Sequence, residues 1–451
     1  MKLPRKKRYY LLFVLWLTVV GVGLRIGVDL TFLHRDMTAY RAEGYPLSPE
    51  ELAEWTRLSD YTPNAVPLIE AAMATLDTEI VETHDVPFLG EVDCDLAIEP
   101  LSPDLMDNIR IVLEANKETL SLLHEAAKYE HYNANKQYDW VNTGPTDDLS
   151  KIRDFVRLLR LEALYRGEVG VIDRALDSIS VEYAMARFAW QEPLLISWFV
   201  AKALDGMADA SLKTLIQRES LSDAQLQRAT KLAKSTANSG KMDRMLIGER
   251  ANMFDEAFNN HNTIKERWEH IDFLLVESSF PEMAGQVWNN ARELTRGFQE
   301  ERNYLRFMQT IIEIGSLPPL DALEAYGALP GISDEDAEDN FIPNMMGPMY
   351  HGLFQLQCEK ILTTDMLVLG IEIERFRLHT DQLPDTLADL VPEYLDTVPL
   401  SPFDGEPLHY EQINNGFWVG YQGTTRFDTH VYDAAGNDKD NTGRPYVRIF
   451  H

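Results

Sequence analysis

The sequence has two cysteines in 451 residues, Cys94 and Cys358. That excludes a disulfide-rich scaffold and a cysteine-rich zinc module. Basic residues are also scarce, 42 Lys plus Arg against 72 Asp plus Glu, for a formal net charge of −30. A field of that sign repels phosphate backbones, so nucleic acid is not an expected partner. Short catalytic signatures are missing: no Gly-x-Ser-x-Gly elbow, no Walker loop, no Cys-x-x-Cys. His124-Glu125-Ala126-Ala127-Lys128 begins like a zinc-protease motif but ends in lysine, which argues against that chemistry. These absences leave open a site assembled from distant helices.

What is present is a globular composition. Hydrophobic residues make up 45% and charged residues 25%, which excludes wholesale disorder. The length predicts two or three domains.

The first eight residues, MKLPRKKR, carry five positive charges and no acid. Residues 9–28 then run apolar, interrupted only by Arg25. At about 1.5 Å per residue such a helix reaches about 30 Å, the thickness of bilayer hydrocarbon. This predicts a single-pass anchor with its N-terminus cytoplasmic and the body extracytoplasmic. A cleaved signal ending near Gly21-Val22-Gly23 is the alternative. Both readings place the body where Cys94 and Cys358 either form a disulfide or stay as separate buried thiols.

Helix signals dominate from residue 48 to about 312. Ser48-Pro49-Glu50-Glu51, Ser102-Pro103-Asp104 and Ser222-Asp223-Ala224-Gln225 are helix starts. Ile152, Phe155, Val156, Leu159 and Ala163 lie on one helical face. The segment 188–204 is the most apolar of the body and reads as a central buried helix, with Pro193 in its first turn and Glu192 beside its positive end. Residues 315–349 are rich in proline, glycine and acid and read as a linker. A long helix is expected at 351–379 and a short one near 387–390. Strands are expected on either side of Asn414-Asn415-Gly416 and at 446–450. The predicted fold is mainly α: an N-terminal transmembrane helix, an irregular α-helical bundle and a small C-terminal α+β unit with a short antiparallel sheet. The expected boundaries are 1–33, 34–314, 315–349 and 350–451.

Part of the C-terminal sequence resembles a known family. Ile373–His379, Gln382-Leu383-Pro384, Leu387–Pro392, Tyr394-Leu395, Val398-Pro399, Pro402–Gly405 and Pro407–Tyr410 are similar to the soluble half of type II secretion major pseudopilins. The same pattern ends many uncharacterised single-pass bacterial membrane proteins, which the chain also resembles through Asn64-Ala65, Glu192–Ser197 and Gly248–Ala251. The membrane segment lacks the pseudopilin processing site, and Ser401 stands where the pattern has aspartate. The resemblance implies a calcium loop after the sheet. Asp433, Asn437, Asp438 and Asp440 supply the oxygen donors that hard Ca²⁺ requires, although Arg444 holds the twelfth position where an EF-hand has glutamate. An acidic surface turn is the alternative.

Glu249 and Arg250 read as a buried ion pair joining helices, and Glu192 as a cap or buried partner. The expected function is a membrane-tethered, exported scaffold or binding protein that is not an enzyme, with an envelope protein as its partner. One alternative is an envelope hydrolase using Glu249, Asp255 or Glu192 in a helical cleft. Another is an accessory of a secretion or pilus-like system.

Overall fold

The computed structural model describes residues 5–89, 101–133, 138, 146–237, 239–254, 299, 301–329, 341–413, 416–421 and 446–450. The chain is mainly helical, with a small antiparallel sheet near its C-terminus.

Helix α1 (Arg5–Ala42) is followed by α2 (Pro49–Thr56), α3 (Val66–Thr75) and α4 (Thr78–Thr83). Ser48 Oγ accepts the Glu51 N–H and starts α2, as its sequence predicts. The Glu51 carboxylate reaches one residue beyond a capping box, to the Leu47 N–H (2.9 Å), and also holds Arg41 of α1. Ser102 caps α5 (Pro103–Ala115), and α6 (Lys117–Ala126) follows after a break at Asn116. Asn116 N–H closes the last turn of α5 on Val112 O, and Asn116 O receives the Leu120 N–H in the first turn of α6.

Helices α7 (Thr146–Glu168), α8 (Ile172–Ala189) and α9 (Leu195–Arg218) pack consecutively through short turns and form the centre of the bundle. The expected face of α7 is buried, from Ile152 and Phe155 to Ala163. Helix α10 (Asp223–Ala233) opens with a full capping box between Ser222 and Gln225. Replacing Ser222 by alanine should cost about 1 kcal/mol in urea unfolding, with an unchanged m-value. Next come α11 (Met242–Phe254), α12 (residues 301–315), α13 (Pro319–Gly327) and the long α14 (Phe341–Thr380). A 3₁₀ turn at Leu387–Leu390 precedes β1 (His409–Ile413), β2 (Gly416–Gly420) and β3 (Tyr446–Phe450). The strands pair antiparallel in the order β1-β2-β3, with Tyr410 opposite Val419 and Trp418 opposite Arg448. One apolar cluster runs from Leu176 of α8, Leu212 of α9 and Leu226 of α10 through Leu369 of α14 to Phe417 and Val419 of β2. The sheet is thus fastened to the helical body by a shared core.

The membrane anchor expected at residues 9–28 is corrected. Among the described residues no helix is long and apolar enough to cross a membrane, which overturns the single-pass assignment and the placement of the body that rested on it. The apolar run is the first half of α1, a helix that continues without a break through Asp29, Arg35 and Asp36. Its second half is docked on the body. Leu33 is buried, and Asp36 accepts from Arg302 (3.0 Å) and Arg306 (3.3 Å) of α12.

The segment 188–204 is also not one helix. Helix α8 ends at Ala189, residues 190–194 turn, and α9 begins at Leu195 with Ile196 and Phe199 exposed. Pro193 precedes the helix instead of opening it. Within 315–349, read from the sequence as a linker, the structure has α13 and the start of α14. Cys358 is a free buried thiol whose burial pushes its pKa up to about 12, and Cys94 lies outside the described residues.

Candidate binding groove and buried charge network

Two motifs far apart in sequence meet in space. Gly248 of α11 lies so close to Pro193 that a Cβ there would fall 1.8 Å from the Pro193 carbonyl oxygen. Beside it, Glu249 Oε2 accepts the Leu195 N–H (3.1 Å) at the start of α9, where Leu194 offers no side-chain cap. Burial raises the Glu249 carboxyl, and this N–H opposes the rise. Glu192 accepts from Ser197 Oγ (3.0 Å) on the same first turn. Arg250 points the other way. Its Nη1 donates to Gln309 of α12 (2.9 Å), and its guanidinium lies over the Tyr40 and Tyr45 rings. Neighbouring helix residues point about 100° apart, so the expected Glu249–Arg250 pair does not form. Each side chain instead joins α11 to a different neighbour.

A second cluster crosses α8, α9 and α14. Asp205 is buried and accepts from Trp190 Nε1 (2.8 Å), with Lys360 Nζ at 3.5 Å. Lys360 also donates to Thr236 O (2.7 Å) and lies 4.3 Å from the centroid of the Trp190 ring. Burial lowers the lysine and raises the aspartate, and each opposes the shift of the other. One turn on, Asp209 accepts from Tyr183 Oη (2.5 Å), and burial pushes its carboxyl up to about 7. A carboxyl held above its unfolded value favours the fold while protonated, and that contribution is lost as pH rises from about 4 through about 7. Asp209→Asn keeps an acceptor for Tyr183. Its stability relative to the wild type is expected to be about 3 kcal/mol greater at pH 8 than at pH 5. Urea unfolding at the two pH values measures this, and a pH-independent difference would remove Asp209 as the titrating group.

Among the described residues, one open surface feature is a groove of about 890 Å³ between α5–α6 on one side and the α7–α8 corner on the other. Arg110, Lys117, Lys128, Arg166, Arg174 and Arg228 line it, against only Glu114, Glu162 and Asp177. The surplus of acid over base in the whole chain is reversed here. Arg166 pairs with Glu162 (2.6 Å) and Arg228 with Asp177 (2.7 Å), and the other four cations pair with acids three residues away: Arg110 with Asp107 (3.3 Å), Lys117 with Glu114 (2.5 Å), Arg174 with Asp177 (3.4 Å) and Lys128 with Glu125. Such exposed pairs are worth little and exchange readily for a competing carboxylate.

The floor is more firmly built. Glu162 of α7 is buried and receives three side chains. These are His124 Nε2 of α6 (2.8 Å), Ser178 Oγ of α8 (2.9 Å) and Arg166 Nη2 (2.6 Å). Arg166 also donates to Ser178 Oγ and Arg174 O. A carboxylate can only accept, so His124 presents its hydrogen on Nε2. Beneath this layer Glu182 is fully buried and accepts from Ser211 Oγ (2.8 Å). Burial drives its carboxyl well up, against the pull of Arg160, which lies over the Phe88 ring.

Sequence reasoning missed the groove because its parts come from five segments. A signal was present in Glu162, an acid set among the apolar positions of α7. Neither Glu192 nor Glu249 lines the groove. Asp255 and the proposed calcium ligands Asp433, Asn437, Asp438 and Asp440 lie outside the described residues. Among the described residues, no group of three His, Cys, Asp or Glu is placed to hold a metal ion. No protein-family model matches the chain, and no curated protein or solved structure matches it.

Proposed function

We propose that the chain is a scaffold or binding protein, not an enzyme, and that the groove is where it receives an anionic partner protein. The observation that carries this reading is the six Lys and Arg side chains lining one groove of a chain with net charge −30. A local reversal of sign steers an oppositely charged surface toward that groove and away from the rest of the protein. The long helix α14 with its sheet supports keeping the pseudopilin-like C-terminal unit in this proposal, as the part that anchors the body within an assembly.

The test is affinity purification of the tagged full-length chain from its native source, beside a variant carrying Arg110→Glu, Lys117→Glu and Lys128→Glu. The expected result is a stoichiometric partner that is retained by the wild type and lost, by at least tenfold, from the variant. A partner held equally by both, or none at all, would count against the groove. All three positions are exposed, so the variant should fold normally.

A hydrolase reading has one observation in its favour, the His124 imidazole oriented by Glu162 at the groove floor. Ester turnover abolished by His124→Ala would move that reading ahead of the first.

A further inference from the structure

The wall formed by α5 and α6 is patterned as well as charged. Arg110, Lys117 and His124 recur every seven residues and all line the groove, and so do Leu113, Leu120 and Ala127. Helix α5 ends and α6 begins at Asn116, and residues of both rows face the groove on either side of that junction. The opposite wall adds apolar surface at the α7–α8 corner, where Val169 and Val171 are 48% and 45% exposed. Arg110 and Lys117, one heptad apart beside the partly exposed Leu113 and the corner valines, are complementary to a helix that carries acids on one edge and apolar residues on the next.

Resting on the binding reading above, we infer that the groove takes an acidic amphipathic helix of the partner protein. The dimensions agree. A helix about 10 Å wide occupies roughly 400 Å³ per 5.4 Å turn, so the groove holds about two turns. Glutamates one heptad apart on such a helix, about two turns, would exchange with Asp107 and Glu114 for Arg110 and Lys117. Leucines on its adjacent edge would cover Leu113 and the two corner valines. A single-stranded nucleic acid offers negative charge without an apolar edge and would leave those valines in water.

The test uses fluorescein-labelled 15-residue peptides and the full chain, with binding read by anisotropy. The first peptide is helical, with Glu and Leu on adjacent edges. The second has the same composition scrambled around the helix, the third is poly-Glu, and the fourth replaces each Glu of the first by Lys. A single-stranded oligo-uridine of equal length is the fifth probe. The expected result is that the first binds at least tenfold tighter than any other. Its affinity should fall at least tenfold with Lys117→Glu, and separately with Val169→Asp plus Val171→Asp. Since these positions are exposed, circular dichroism should be unchanged in both variants. If the scramble or poly-Glu binds as tightly as the first peptide, the helix inference fails while the anionic groove survives. If the Lys peptide or the oligo-uridine binds best, or if no acidic probe binds, both readings fail.

Discussion

Replacing Gly248 by alanine is expected to destabilise the protein by 3 kcal/mol or more, and in practice to prevent accumulation of folded material. The added methyl would sit 1.8 Å from the Pro193 carbonyl oxygen and 2.9 Å from the Pro193 carbonyl carbon. Both are backbone atoms, so no side-chain rotation relieves the clash. The chain must instead push α11 away from the α8–α9 turn. That movement would pull Glu249 off the Leu195 N–H and leave a buried carboxyl and the start of α9 without each other. Overpacking alone usually costs about 1–3 kcal/mol, and the lost cap adds to it. Urea unfolding or soluble yield measures the effect. Gly327→Ala, where a methyl would meet nothing within 4 Å, is the control. A Gly248→Ala protein as stable as that control would mean the close approach is not maintained.

Asp205→Ala should have an effect of similar size, about 3–5 kcal/mol, because it takes the paired counter-charge from a buried ammonium and leaves only the more distant Asp209. Lys360 would keep the Thr236 and Ser239 carbonyls and the Trp190 ring, but none of these carries a negative charge. Trp190 Nε1 would lose its acceptor as well. Asp205→Asn preserves that acceptor and should cost less. Pairing Asp205→Ala with Lys360→Met removes the stranded charge, and the double variant should be more stable than Asp205→Ala alone. In Asp205→Ala the buried lysine is stabilised by losing its proton, so part of the loss should be recovered as pH rises. Unfolding curves at pH 6 and pH 9, taken with Asp209→Asn in both proteins so that its own titration is removed, would show it. A double variant worse than the single would place the energy in packing around Trp190.

Local rules were enough to find the helix starts that carry a serine cap. Ser48, Ser102 and Ser222 cap helices at the positions their hydroxyls predict, because a cap is an interaction over three residues. The 3₁₀ turn at Leu387–Leu390 and the hairpin around residues 414–416 were legible for the same reason. Hydropathy misled where it was used as a measure of environment. The run at 9–28 read as a membrane span, yet it belongs to a helix whose other half is salt-bridged to α12. The apolar stretch at 188–204 read as one buried helix and is a corner between two.

The sequence by itself determined the helical class, the caps, the C-terminal hairpin and the acidic net charge, all of which depend on neighbours within a few residues or on plain counts. Only the tertiary structure decided which charges meet. Glu162 finds His124 38 residues away, and Asp205 finds Lys360 across 155. Glu249 and Arg250, adjacent in sequence, diverge to different helices. Charge pairing between elements is fixed by how helices pack, and no local pattern encodes it. For that reason a groove lined by cations could arise, unannounced, on a chain whose net charge is strongly acidic.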